Sequence, residues 1–162
     1  YPRAYEHDGD WSCNGGDPYG ACGYRLPTEA EWERASRLDS NGRFPWGDAD
    51  PDCLLANFAP LPNEPCVGEA VATGSYSPAP AGLGMFDLAG NVWEWCNDRF
   101  GEEIGGSPVV DPVGESSGNY RVLRGGGWDS EGEALRCASR LSGAANTYTS
   151  QIGFRIARTA VP

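Results

Sequence analysis

Apolar residues in this chain fall in short clusters between long polar stretches, and only a few clusters carry a regular period. Ile152-Gly153-Phe154-Arg155-Ile156 alternates, which predicts a strand with Ile152, Phe154 and Ile156 on one face. Tyr120-Arg121-Val122-Leu123-Arg124 is rich in β-formers and predicts a second strand; a weaker alternation over Ala134–Arg140 predicts a third. One segment carries a helix signature. Thr28 followed by Glu31 is a capping box, Pro27 precedes it, and acids fill the first turn. The helix is expected from about Glu29 to Arg37, with Ala30, Trp32 and Ala35 turned inward.

Between these elements the chain reads as loop. Tyr1 to Gly23 is polar and acidic, with Asp8, Asp10 and Asp17, and Asn41 to Asp48 is a turn carrying Phe44 and Trp46. Ala49 to Pro80 is interrupted repeatedly by proline, with only Thr73 to Tyr76 briefly extended; Asp98 to Asn119 is an acidic, Gly-rich loop. Leu141 to Gln151 is a polar loop between strands, where binding variation usually sits. With 23 Gly and 13 Pro in 162 residues, the composition supports an irregular α+β fold rather than a helical bundle. No repeat or linker divides it, so residues 1–162 are expected to form one domain.

The formal charge of −11 argues against nucleic acid and against insertion into or adsorption on an anionic membrane, and no apolar run approaches the ~20 residues of a span. Six Cys in such a chain suggest an oxidising compartment, hence a secreted, periplasmic or cell-surface protein. Short spacing pairs Cys13 with Cys22 and Cys53 with Cys66, leaving Cys96 for Cys137, although six Cys allow many other pairings. The chain opens at Tyr1 without Met or a leader, so a processed product or an excised segment is expected.

The stretch with most chemistry is Met85-Phe86-Asp87-Leu88-Ala89-Gly90-Asn91-Val92-Trp93-Glu94-Trp95-Cys96. Its Gly-Asn pair favours a tight left-handed turn that can aim carbonyl oxygens at one point, with Asp87 and Glu94 on either side. Carboxylate and carbonyl oxygens together suit a hard cation such as Ca²⁺. The alternative is a Trp-rich core turn whose acids are solvated or paired with arginine. Arg124, Arg136, Arg140 and Arg155 lie in or beside the strands and read as structural partners for Glu31, Glu33 or Glu94.

Five blocks are now on view: Tyr24-Arg25-Leu26-Pro27-Thr28-Glu29-Ala30-Glu31-Trp32-Glu33, Phe44-Pro45-Trp46-Gly47, Phe86 to Trp95, Arg121-Val122-Leu123-Arg124-Gly125-Gly126-Gly127-Trp128, and Ile152-Gly153-Phe154-Arg155. In content and order, from about residue 23 to 157, they resemble the formylglycine-generating enzyme (sulfatase-modifying factor) family. The resemblance implies a C-type-lectin-like fold with little regular structure, one or two helices, a small antiparallel sheet and Ca²⁺ as internal staples. Family domains begin earlier than this chain does. The resemblance also implies two Ca²⁺ positions. One would use the Asp87 and Glu94 side chains with the Gly90 and Val92 carbonyls. The other would use the Asn57 side chain and the Phe58 carbonyl; the acid expected there is not identifiable, so Asn63 or Glu64 stands in, or Cys53–Cys66 staples the loop instead.

Active family members oxidise a substrate cysteine with O₂ and Cu(I) held between two thiolates, a soft metal on soft ligands. Those cysteines belong in the stretch from Gly125 to Arg136, which here contains none, so no copper is expected. A branch that uses non-haem iron and histidines is also poorly matched, because His7 is the only His. Two other classes remain open. One is a ligand-binding or display module, similar to diversified binding proteins on this scaffold. Trp128, Asp129, Asn146 and Tyr148 would then meet a protein or carbohydrate ligand. The other is a structural subunit that pairs with copies of itself.

Overall fold

The computed structural model describes residues 5–7, 11–21, 23–38, 41–102 and 109–159. It is an irregular α+β arrangement in which one helix crosses one face of a small sheet and long loops make the rest. Helix α1 (Glu29–Arg37) starts where the capping box places it: Thr28 Oγ1 accepts the Glu31 N–H at 3.2 Å, and Glu31 Oε2 accepts the Thr28 N–H at 2.8 Å. It stops at Leu38, held in the left-handed region, with Arg34 and Arg37 in the last turn. Trp32 and Ser36 are its buried residues, one turn apart; Ala30 and Ala35 are only half-buried.

The described residues contain eight short strands. β1 (Tyr5–His7) and β2 (Trp11–Cys13) form a hairpin, and β3 (Tyr24–Arg25) pairs antiparallel with β8 (Ala157–Arg158). The central sheet runs β6 (Leu141–Ala144), β5 (Tyr120–Arg124), β4 (Trp93–Arg99), β7 (Ile152–Phe154). β4 and β5 are antiparallel, as are β5 and β6, while β7 joins β4 in parallel. Glu94 faces Arg124 and Trp95 faces Leu123 across the first pair. Alternation along β4 therefore puts Glu94 and Cys96 under α1, with Val122 and Arg124 of β5, and turns Trp93 and Trp95 to the other face. Trp32, Leu88, Cys96 and Val122 form one core cluster; Phe44, Ala56, Phe58, Ala89 and Leu135 form a second beneath the loops.

Three expectations fail here. Ala134–Arg140 is not a strand. Gly132–Leu135 is a single 3₁₀ turn that buries Leu135, and the chain turns again at Ser139, whose N–H reaches the Arg136 carbonyl. The strand lies further on, at Leu141–Ala144, inside the stretch expected to be loop; its Leu-Ser-Gly-Ala sequence carries no alternation to announce it. Thr73–Tyr76 is turn, closed by the Ser75 N–H on the Ala72 carbonyl. Ile152, Phe154 and Ile156 do alternate, but strand β7 ends at Phe154, and Phe154 and Ile156 are exposed.

Candidate functional site

The Gly-Asn turn is built as its sequence requires. Asp87, Gly90 and Asn91 have φ of 56°, 80° and 70°, all left-handed. A Cβ at Gly90 would lie 2.5 Å from the Asn57 carbonyl oxygen, so only glycine lets the turn press onto that loop. Asn91 then acts as a clasp. Its N–H donates to the Asn57 carbonyl at 2.7 Å, its Oδ1 accepts the Val71 N–H at 2.8 Å, and its Nδ2 donates to the Val71 carbonyl at 3.1 Å. Asn57 Nδ2 donates to the Glu69 carbonyl at 2.8 Å. Asn57 is buried, and its Oδ1 has no hydrogen-bond partner. A buried orphan oxygen costs free energy unless something satisfies it, and a hard cation is one such partner.

Glu94 is different. It is buried, and both carboxylate oxygens are engaged: Oε2 accepts from Trp32 Nε1 at 2.7 Å and from Arg155 Nε, and Oε1 accepts from Arg155 Nη2 at 2.7 Å. Arg155 Nη2 also donates to the Phe86 and Asp87 carbonyls at 3.1 and 3.3 Å, so one guanidinium ties Glu94 to the Asp87 end of the turn. Asp87 Oδ2 accepts the Gly74 N–H at 3.0 Å. Arg124, which faces Glu94 in register, turns instead to Glu33 at 2.6 Å and Glu29 at 3.6 Å. Arg140 grips Glu29 through two bonds, and Arg25 grips Glu31 likewise. These arginines are structural partners of helix carboxylates.

The residues proposed from sequence for metal binding thus divide into two neighbourhoods. Asp87 and Glu94 are joined through Arg155, while Asn57 is joined to Gly90 and Asn91. Phe58 is buried and its carbonyl accepts the Cys66 N–H at 2.8 Å. Glu64 and Asn63 sit on an exposed turn that the Glu64 N–H closes on the Leu61 carbonyl. The acid whose main chain meets the Asn57 side chain is Glu69, which the sequence reading missed; its place just before Ala70-Val71-Ala72-Thr73-Gly74 was the available signal. Asn91 was read only as a turn former. Among the described residues no three His, Cys, Asp or Glu side chains cluster as metal ligands, so amide and carbonyl oxygens would supply most of any cation shell.

The surface proposed for ligands is assembled by two loops around Trp93. Its Nε1 donates to Ser130 Oγ at 3.0 Å, and its N–H to the Gln151 carbonyl at 2.7 Å. Trp128 is half-buried, with Nε1 3.4 Å from the Ser150 carbonyl, which brings the segment holding Asp129 against the end of the 145–151 loop. Asp129, Asn146 and Tyr148 are exposed, Tyr148 almost fully at 92%.

Of the three disulfides expected, Cys53–Cys66 is formed. Cys13, expected to pair with Cys22, is buried and free, and Cys22 lies outside the described residues. The third pairing is corrected: Cys96 and Cys137 are both buried and free. Cys96 is packed among Trp32, Leu88 and Val122, whereas Cys137 Sγ points at the Ser36 carbonyl, 3.6 Å away, and its carbonyl accepts from Arg124. Burial pushes both thiols up from their ordinary values, Cys96 strongly, so they remain neutral at physiological pH. Asp98 is buried at the helix start, its Oδ2 accepting the Glu29 N–H at 2.7 Å; burial first, and the charges of Glu29 and Glu31 after it, push its carboxyl up to about 6. No helix among the described residues is long and apolar enough to cross a membrane.

Residues 4–160 match the family described as the sulfatase-modifying factor enzyme 1-like domain. The chain is 41% identical over 153 residues to the serine/threonine-protein kinase pkn1 of Chlamydia pneumoniae, covering 86% of this chain and 23% of that protein. It is 40% identical over 149 residues to the formylglycine-generating enzyme of Streptomyces coelicolor, covering 85% and 48% respectively. The hercynine oxygenase of Mycolicibacterium thermoresistibile is 36% identical over 132 residues, with 73% of this chain and 28% of that protein covered. Among solved structures, Treponema denticola variable protein 1 superposes with a TM-score of 0.72 at 28% identity, covering 85% of this chain and 48% of its own. The structure of PvdO from Pseudomonas aeruginosa gives 0.70 at 28% identity, covering 82% and 51%. The chain therefore spans between about a quarter and about half of the length of each of these relatives.

Proposed function

We propose a function from one premise, that the chain belongs to the sulfatase-modifying factor family: it is a Ca²⁺-stabilised, lectin-like module that presents a binding surface and carries out no formylglycine chemistry. Relatives of this chain are named as a kinase, a formylglycine-generating enzyme, an oxygenase and a variable protein, so the scaffold alone does not settle the task. The donor set argues against the copper oxidation. The stretch from Gly125 to Arg136 holds no Cys, and Cys96 and Cys137 are buried neutral thiols facing different neighbours. A Cu(I) site needs two exposed thiolates that can converge.

The observation that carries the binding reading is the meeting of two exposed polar segments at Trp128. Asp129, Asn146 and Tyr148 project from loops whose bases are fixed by the Trp93, Ser130 and Gln151 hydrogen bonds. Side chains there can change without disturbing the core, and the similarity to a solved structure titled as a variable protein fits that use. A protein or carbohydrate ligand outside the cell suits the acidic surface and the Cys53–Cys66 bond.

A Ca²⁺ ion would sit first at Asn57 Oδ1, where the buried oxygen has no other partner, with Glu69 as the acidic neighbour. When bound, it supplies a fixed charge that ties the 57, 69–71 and 90–91 segments. A second ion at Asp87 and Glu94, with the Gly90 and Val92 carbonyls, would share Glu94 with Arg155. The functional test pairs two assays. Incubation of a cysteine-containing sulfatase-type peptide with Cu(I) and O₂ should yield no aldehyde above a protein-free control. A glycan array and a panel of extracellular proteins should give binding that Tyr148→Ala and Asp129→Ala weaken at least tenfold. Aldehyde formation, or binding indifferent to both variants, contradicts the reading.

A further inference from the structure

The loop from Cys53 to Val67 is ordered by bonds that leave its leucines outside. Asp52 starts it: its Oδ1 accepts the Leu54 and Leu55 N–H groups at 2.8 and 3.1 Å. The Cys53–Cys66 bond closes it with the two Cα atoms 5.5 Å apart, and the Cys66 N–H donates to the Phe58 carbonyl at 2.8 Å. Ala56 and Phe58 fill its inner side and belong to the core cluster beneath. Leu54, Leu61 and Val67 are left 86%, 57% and 52% exposed. Leu54 follows Cys53 and Val67 follows Cys66, so the disulfide draws the two to the same end of the loop.

Single leucines on a surface are ordinary. Several on a covalently closed loop are different, because an apolar surface held in place can bind without first losing the freedom of its own backbone. Charge narrows what fits there. Residues 44–86 contain Asp48, Asp50, Asp52, Glu64 and Glu69 and no Lys, Arg or His. Arg43, just before them, is held by Asp50 at 3.0 Å and by Asp48 at 3.9 Å. Asp52, Glu64 and Glu69 are exposed and have no arginine partner among the described residues. Gly132 packs on Pro51 so closely that a Cβ there would lie 2.9 Å from Pro51 Cγ, which seats the exposed Glu131 beside the same loop. A second copy would bring these acids face to face, and an anionic lipid surface would be repelled likewise.

We propose that the Leu54–Leu61–Val67 surface docks a separate protein whose contact face has an apolar centre ringed by Lys and Arg. The loop's apolar side chains would supply the contact area, and the surrounding acids would orient the partner and speed its encounter. This surface is distinct from the ligand surface at Trp128, and the proposal holds whether or not that one binds.

The probe is a stable helical-bundle scaffold made in three versions, with one exposed face of Leu ringed by Lys, of Leu ringed by Glu, or of Ser ringed by Lys. Calorimetric titration should show the Leu–Lys face binding the wild type at least tenfold more tightly than either of the others. Leu54→Ser combined with Leu61→Ser should weaken that binding at least tenfold, and Glu64→Gln should lower its salt dependence. Phe154→Ser, which removes an exposed apolar side chain from β7, should leave it unchanged. All of these side chains are exposed, so each variant should keep the wild-type melting midpoint. Amide hydrogen exchange in the wild type, which needs no variant, should slow over residues 53–67 on binding. No binding of the Leu–Lys face overturns the proposal, as does equal binding of the Ser–Lys face, which would reduce the effect to charge alone. Protection outside 53–67 overturns it by placing the contact elsewhere. A homodimer that Leu54→Ser dissociates also overturns it, because a second copy is then the occupant.

Discussion

Two regions meet along strand β4, and they solve the same electrostatic problem in opposite ways. Beneath α1, carboxylates are paired with arginines, and the buried atoms left without a hydrogen bond are guanidinium N–H groups, Arg25 Nε and Arg124 Nε. Glu29, Glu31, Glu33 and Glu94 receive Arg140, Arg25, Arg124 and Arg155, mostly at 2.6–2.8 Å, and Arg124 is fully buried. Across the Gly-Asn turn, the junction of the 57, 69–71 and 90–91 segments is made of neutral amides, and one oxygen is left over at Asn57. A paired charge network resists the loss of a partner badly, and its leftover groups are donors that repel a cation. An open amide junction leaves a place for an ion. The difference supports the proposal that an ion sits first on the loop side, at Asn57, because Arg155 already neutralises Glu94 on the other.

The largest effect should come from breaking the paired network. Arg124→Met removes one of the two arginine partners of Glu33, the other being Arg37, and the donors to the Cys137 and Ser139 carbonyls, leaving buried acceptors unpaired. A loss of about 3–5 kcal/mol is expected in urea unfolding. A loss under about 1 kcal/mol would show that the network is not what holds the helix to the sheet.

On the loop side the covalent staple should matter next. Cys53 and Cys66 close a loop with a sequence separation of 13, and the double replacement with Ser should cost about 3 kcal/mol. Mapping under non-reducing conditions should find Cys53 joined to Cys66, with Cys96 and Cys137 alkylated only after unfolding. A Cys96–Cys137 peptide would contradict the two free buried thiols.

Asp98 sharpens the comparison from the helix side, since burial makes its carboxyl a weaker acid. A carboxyl near 6 in the fold and 3.8 when unfolded binds protons more tightly in the native state. Its contribution is full below pH 4 and is lost as pH rises through 6, at most about 3 kcal/mol. Glu31, lowered despite its burial by hydrogen bonds from Arg25 and Thr28, works in the opposite sense: its contribution is present above its ordinary 4.5 and is lost as pH falls through the lowered value. Asp98→Asn keeps an acceptor for the Glu29 N–H and should flatten the stability profile between pH 4 and 6. An unchanged slope would mean that Asp98 is solvated.

Much of this was legible in the chain. The α1 boundaries follow from Thr28, Glu31 and the first-turn acids because capping is a local interaction. The turn at Gly90-Asn91 follows from the rarity of left-handed backbone, and the arginine pairs from the cost of burying charge. What could not be read was set by tertiary contact. Strand β6 has no alternation, so only pairing with β5 defines it. Arg155 as the partner of Glu94 depends on the parallel placement of β7 beside β4. The Asn57 orphan exists because three segments distant in sequence meet, and no spacing along the chain announces that. The Cys96–Cys137 expectation failed by the same route, because pairing by elimination takes no account of where each thiol is packed.

The proposed ion at the Asn57 junction is tested most directly by melting curves in excess Ca²⁺ and in EDTA for the wild type and for Asn57→Ala. A native-state ligand at a hundredfold excess over Kd adds about 2.7 kcal/mol, so the wild-type midpoint should fall clearly on chelation. Asn57→Ala should melt near the chelated wild type and respond to neither addition. If EDTA leaves the wild-type midpoint unchanged while Glu94→Ala still lowers it, the turn is held by the Arg155 ion pair alone and the calcium assignment is wrong.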